Sequence, residues 1–154
     1  MNPVPASRVT KVARSWVGTP FYPHCCKKGV GVDCVHLALA VYKEAGVLPD
    51  DLELPHYTLD GGEHLHDSLV VQWLARSPLF VVSSEMPCEG ELLVIRYARV
   101  EHHVGVMTEG TKFVQAVRHG GVVERDMRDS TWSSRLRGCW RPVNLCSEAT
   151  TTYQ

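Results

Sequence analysis

Up to about residue 77 the apolar residues recur with the period of a helix. From residue 79 onward they fall into short β-branched or aromatic runs. Val9, Val12, Ala13 and Trp16 stand at i, i+3, i+4 and i+7. They mark one face of a helix over residues 7–16, which Ser7 is placed to cap and Gly18 and Pro20 end. In a second helix Cys34, Leu37, Ala38, Val41 and Ala45 share a face, with Asp33 a good N-cap and Gly46 a good residue just past the end. Residues 47–62 carry Pro49, Pro55, Gly61 and Gly62 and read as a loop. A third helix is expected around 63–77, with Leu65, Leu69, Trp73 and Leu74 inward and Pro78 beyond its end. Then come "FVVS", "ELLVIRY", "HHVGVMT", "KFVQAV", "GVVERD" and "GCWRPV", separated by Gly, Pro and charged turns, with "TEGTK" as a tight hairpin connection. Helices first and strands second give an α+β fold, with N-terminal helices packed on a mostly antiparallel sheet. At 154 residues the chain suits one domain, 1–146, with 147–154 expected as a flexible C-terminal tail.

Charge and hydropathy remove several function classes. A net charge of -1 gives no electrostatic ground for a nucleic-acid or anionic-membrane partner. No apolar run approaches the ~20 residues of a membrane span. The start, "MNPVPASRVTK", lacks the apolar core of a secretory signal, so synthesis in the cytoplasm is expected, with any export by another route. Six cysteines fall short of a disulfide scaffold, and a bridge between adjacent Cys25 and Cys26 would be strained, so reduced thiols are expected.

One cysteine stands at a boundary rather than inside an apolar run. If the second helix begins at Cys34, its thiol faces the first-turn N–H groups and the positive end of the helix dipole. Both favour a thiolate, with a pKa below the ~8.5 of a free cysteine. The same N–H groups suit an oxyanion. The plainer reading makes Cys34 the first inward residue of the helix. A thiolate mechanism needs a base, and in "HHVGVMTEG" alternation puts His103, Gly105 and Met107 on one face and His102, Val104 and Val106 on the other. Gly105 is expected to leave open space beside His103. In "KFVQAV" the polar Gln115 is placed to accept the imidazole N–H, or else lies on the exposed face of an edge strand. His119, in the "RHGG" turn, takes its place if the register differs.

These pieces resemble the NlpC/P60 superfamily of cysteine peptidases. "ARSWVGTPFYP" (13–23) is similar to that family's helix and W-x-G-T-P-[YF] loop, and "GVDCVHLALAVYKEAG" (31–46) to its nucleophile helix, which usually begins Asp-Cys-Ser-Gly. "EGELLVI" (89–95) resembles its Gly-Asp-hydrophobic strand, and "HVGVMTEGTKFVQA" (103–116) its His-Val-Gly-Ile strand and hairpin partner. The resemblance implies a papain-like core, Cys34 as nucleophile, His103 as base and Gln115 as orienting residue, with no cofactor. It also implies substrate contacts from Asp33, Tyr22, Phe21, Val35 and His36. Three departures stand out: Val35 and His36 replace the usual Ser-Gly, Gln115 the more common histidine, and Phe21 the usual tyrosine, with Tyr22 next to it.

Within the superfamily "HCCKKGVGVDC" is most similar to the branch from phage tails and gene-transfer agents. That implies a virion tail-tip enzyme whose partners are the peptidoglycan stem peptide and other tail-tip proteins, with no nucleic acid and no membrane insertion. The alternative is a tail-tip structural or assembly protein that keeps the fold without hydrolysis. Metal binding through His24, Cys25, Cys26, Cys34 and Cys88 or Cys139 is a further reading, opposed by the lack of any C-x-x-C pair. Acyl transfer or thioester hydrolysis would use the same Cys-His chemistry. His56, His64 and His66 read as solvent-facing, the four tryptophans as core or interface anchors, and "RDMRDSTWSSRLRG" as a solvated or partner-facing segment.

Overall fold

A computed structural model describes residues 2–55, 69–83, 86–97 and 100–147. In chain order it contains β1 (Val4–Pro5), α1 (Ala6–Ser15), β2 (Cys26–Lys27), β3 (Gly31–Val32), α2 (Cys34–Glu44), α3 (Leu69–Arg76) and β4 (Phe80–Ser83). There follow β5 (Leu92–Tyr97), β6 (Val100–Met107), β7 (Lys112–Val117), β8 (Gly121–Asp126), α4 (Ser130–Ser133), β9 (Leu136–Pro142) and β10 (Leu145–Cys146). Six strands make one sheet in the order β4-β9-β5-β6-β7-β8, every neighbouring pair antiparallel. This is the expected α+β architecture.

Local chemistry explains α2 well. Asp33 is extended and its carboxylate accepts the His36 N–H, so the helix starts at Cys34. Gly46, at φ 80°, lets the chain turn away at the other end. The start of α1 differs from the expectation. The cap position belongs to Pro5, which makes no side-chain cap bond, and the helix begins at Ala6 rather than at a Ser7 cap. The reason is tertiary: β1 pairs in parallel with β10, Val4 opposite Leu145 and Pro5 opposite Cys146, and the helix begins where that pairing stops. Of the third predicted helix, residues 69–76 are helical. Leu74 is buried there, and Leu69 and Trp73 are half-buried. Residues 63–68, with Leu65, His64 and His66, lie outside the described residues, as do His56 and residues 148–154 of the expected tail.

Alternation along the strands creates two apolar faces. One packs against the helices, joining Val94, Val104, Val106 and Val114 to Val9, Ala13, Leu37, Val41 and Tyr42. Each fully buried aliphatic side chain there contributes about 1.5–3 kcal/mol. The other face carries Leu93, Ile95, Met107 and Phe113 and is covered by Met127, Trp132 and Leu136. Trp132 meets Phe113 edge-on, ring centroids 5.7 Å apart. The charged stretch around α4 is therefore a cover for the sheet rather than a fully solvated segment. Gly105 also departs from expectation: a Cβ there would stand 3.0 Å from the Phe113 ring, so this ring, not open space, occupies that side of the strand.

Candidate active site

Cys34 opens α2 and is 4% exposed. Its sulfur lies against β6, where the backbone N–H of Val104 points at it, as do those of Val35 and Cys34 itself. The Val104 amide is turned to the thiol because the sheet opens locally. The β6–β7 pairs described are Val106 with Val114 and Met107 with Phe113, whereas β7 pairs β8 along its whole length. Three amides converging on one sulfur favour a thiolate, as the sequence led us to expect. Burial outweighs them: desolvation, with a smaller push from the Asp33 charge, raises the Cys34 pKa from 9.0 to about 12. The resting group is a thiol, which corrects the expectation of a depressed pKa.

That shift has a signature in stability. The folded thiol keeps its proton to about pH 12, while an unfolded one releases it near 9.0, so the folded state binds more protons in between. The stabilisation is complete below pH ~9 and is lost as pH rises towards 12. Thermal melts across that range are expected to fall more steeply for wild type than for Cys34→Ala. Equal slopes would remove the burial argument.

His103 sits next to Val104 and is 6% exposed, and Gln115 is fully buried. Alternation puts both on the sheet face opposite Val104 and Val114. The Val106–Val114 register makes them diagonal neighbours across β6 and β7. His103 Nε2 lies 2.6 Å from Gln115 Oε1. An amide oxygen only accepts, so in this bond the ring carries its proton on Nε2. Gln115 thus lies on an interior strand, not on the exposed face of an edge. His119 is an exposed turn residue, away from this bond. Gln115 Nε2 has no hydrogen-bond partner among the described residues.

Asp33 holds the approach to α2. Its fully buried carboxylate accepts the His36 N–H at 2.8 Å and the His24 N–H at 2.7 Å. The His36 Nδ1 is 3.1 Å from one of its oxygens and 3.2 Å from the other. His24 has φ 57°, a left-handed conformation that costs a non-glycine residue about 1 kcal/mol or more. The bond to Asp33 offsets that cost and fixes the β2–β3 hairpin to the helix start. Phe21 is half-buried and bridges to Val32, two residues before the nucleophile, while Tyr22 is 65% exposed. This loop is locked to the sheet at Gly121 (φ 67°), where a Cβ would stand 2.5 Å from the Thr19 carbonyl. Val35 turns inward and, with Tyr42, Trp73, Phe80 and Val104, lines an apolar cavity of about 60 Å³.

The structure therefore joins Asp33 and His36 at the start of α2, where Cys34 opens the helix, and separately pairs His103 with Gln115 across β6 and β7, next along the strand from the Val104 amide. It leaves Tyr22 at the rim and Val35 in the core. Sequence reasoning missed the Val104 amide, because a backbone donor has no residue type to mark it. No group of three or more His, Cys, Asp or Glu side chains is placed to hold a metal among the described residues. Among those residues no helix is long and apolar enough to cross a membrane.

A profile described as the NlpC/P60 family matches residues 18–141, a span that contains every one of these groups. The NlpC/p60 domain of the peptidoglycan hydrolase SagA is 14% identical, with a TM-score of 0.57 over 87% of this chain and 96% of that one. An NlpC/P60 family protein from Bacillus cereus ATCC 10987 is 17% identical, with a TM-score of 0.63 over 92% of this chain and 41% of that one. NlpC2 from Trichomonas vaginalis is 14% identical, with a TM-score of 0.61 over 88% of this chain and 47% of that one. The chain thus spans less than half of the last two proteins, and at these identities the likeness is one of fold. Among curated proteins none matches.

Proposed function

The chain belongs to the NlpC/P60 family, and from that premise we propose that it is a cysteine peptidase hydrolysing amide bonds in peptidoglycan stem peptides through Cys34, His103 and Gln115. The observation that carries the reading is the buried 2.6 Å bond between His103 Nε2 and Gln115 Oε1, one residue along from the amide that faces the Cys34 sulfur. His103 takes the thiol proton on Nδ1 as the sulfur attacks the scissile carbonyl, so the thiolate forms with the imidazolium beside it rather than alone in an apolar site. The N–H groups at the start of α2 receive the oxyanion. The imidazolium then protonates the leaving amine, and water clears the thioester. Gln115 holds the ring without adding a charge.

The test is incubation of the purified chain with peptidoglycan fragments, with stem-peptide products read by mass spectrometry. Wild type is expected to release products, and their masses to identify the bond. Gln115→Ala is expected to keep the fold and lose about 10²-fold in kcat, since the wrong tautomer becomes accessible. Unchanged kcat would take Gln115 out of the mechanism.

The reading extends to place and partner. The chain acts from the tail tip of a phage or tail-like particle, made in the host cytoplasm and assembled with other tail-tip proteins. Support comes from the similarity of "HCCKKGVGVDC" to tail-borne relatives. Immunogold labelling of purified particles at one end of the tail is expected; particles without label would overturn it. A second reading, a non-hydrolytic tail-tip protein, draws on the burial of the same thiol, and wild type giving no products would favour it.

A further inference from the structure

A second thiol chemistry lies where β5 pairs with β9 and uses none of Cys34, His103 or Gln115. Cys139 lies in β9 and is 4% exposed, on the face that packs Leu93 and Phe113. Its Sγ donates to Glu91 Oε2 at 2.9 Å. The same oxygen accepts the backbone N–H of Cys88 at 3.0 Å. The Cys88 main chain and the Cys139 thiol thus meet at one carboxylate oxygen, while the Cys88 thiol itself donates to the Met86 carbonyl at 3.4 Å. They differ in access, Cys88 being exposed and Cys139 buried. Glu91 is itself 2% exposed, with Arg141 Nη1 3.7 Å from its other oxygen. Burial, then the hydrogen bond and charge of Glu91, hold the Cys139 thiol far above its ordinary pKa.

We propose that Cys88 and Cys139 form a reversible disulfide, with Cys88 the entering thiol, Cys139 the resolving thiol and Glu91 the base that makes the buried one reactive. The oxidant is a low-molecular-weight disulfide such as oxidised glutathione. The Cys88 thiolate attacks it, forming a mixed disulfide and releasing one glutathione thiolate, which takes up a proton. The Cys139 S–H then passes its proton to Glu91 Oε2 while its sulfur attacks Cys88 Sγ. The protein S–S bond forms as the Cys88–glutathione bond breaks, and the second glutathione leaves with the proton from Glu91. Two protein thiols and one glutathione disulfide become one protein disulfide and two glutathione thiols. A carboxylate is needed at this place because a buried thiol ionises too rarely to attack unaided. The bond would tie the turn before β5 to β9 across the register that pairs Leu93 with Cys139.

The test uses the purified full chain with oxidised glutathione, trapped with an alkylating agent and mapped by mass spectrometry of peptides. Wild type is expected to give a peptide pair joined through Cys88 and Cys139, reversed by dithiothreitol, and a raised Tm. Cys139→Ser is expected to stop at the Cys88 mixed disulfide. Glu91→Gln is expected to accumulate the same intermediate, closing about tenfold more slowly. The proposal is overturned if wild type holds a stable mixed disulfide at Cys88 with Cys139 unlinked. It is equally overturned if bonds form only among Cys25, Cys26 and Cys146. Wild-type mapping decides the matter even if the Glu91 variant does not fold.

Discussion

Cys34→Ala is expected to abolish cleavage of peptidoglycan fragments, with a loss in kcat of at least about 10⁴-fold. The size follows from the role: without the sulfur there is no thioester, and the amides at the start of α2 and the His103–Gln115 pair have no nucleophile to act on. The fold should survive, because the substitution removes one sulfur from a site already closed by Val35 and Val104, at a cost of about 1 kcal/mol. Matching near-ultraviolet circular dichroism and a similar Tm at pH 7 would show this. Products from the alanine variant at the wild-type rate would move the nucleophile elsewhere. Because the resting thiol keeps its proton, alkylation of Cys34 by iodoacetamide should also be slow at neutral pH without substrate. A reagent that reaches the sulfur and reacts quickly would show His103 already drawing the proton.

Asp33→Ala should have the largest effect on stability. The carboxylate caps α2, holds His24 in its left-handed conformation and accepts from the His36 ring, so its loss leaves several donors without a partner. A lost cap costs about 1 kcal/mol, and the His24 N–H left unsatisfied about 1–3 kcal/mol more. A total of about 2–4 kcal/mol corresponds to a fall in Tm of about 5–15 °C for a domain of this size. Asp33→Asn separates the parts, since asparagine caps a helix as well as aspartate but offers one acceptor oxygen. It should recover about half of the loss. If the alanine variant melts with wild type, the carboxylate does not hold the hairpin.

Local chemistry was the legible part. Asp33 and Gly46 bound α2 by rules that act within a few residues, and the β-branched runs after residue 79 became strands at nearly the expected places. Tertiary sums were not legible. Period-two alternation puts His103 and Gln115 on a common face, but nothing in "KFVQAV" says that β7 lies inside the sheet with Gln115 fully buried. Nor does a charged run announce that Trp132 will cover Phe113. The Cys34 shift was misread for the same reason: the helix N-terminus is visible in the sequence, whereas the desolvation that outweighs it depends on everything packed around the sulfur. Ser7 was misread as a cap because the true start of α1 is set by a strand more than a hundred residues away.

That strand pairing has a mechanical consequence. β1 and β10 run side by side in the same direction, with a 2.9 Å bond from the Val4 N–H to the Asn144 carbonyl beside them. Tension pulling residues 4 and 145 apart along the strands loads this short clamp in shear, its bonds sharing the force at once. While the clamp holds, the load passes between two neighbouring segments and bypasses α2 and β6. The groups around Cys34 are thereby shielded from strain carried along the chain.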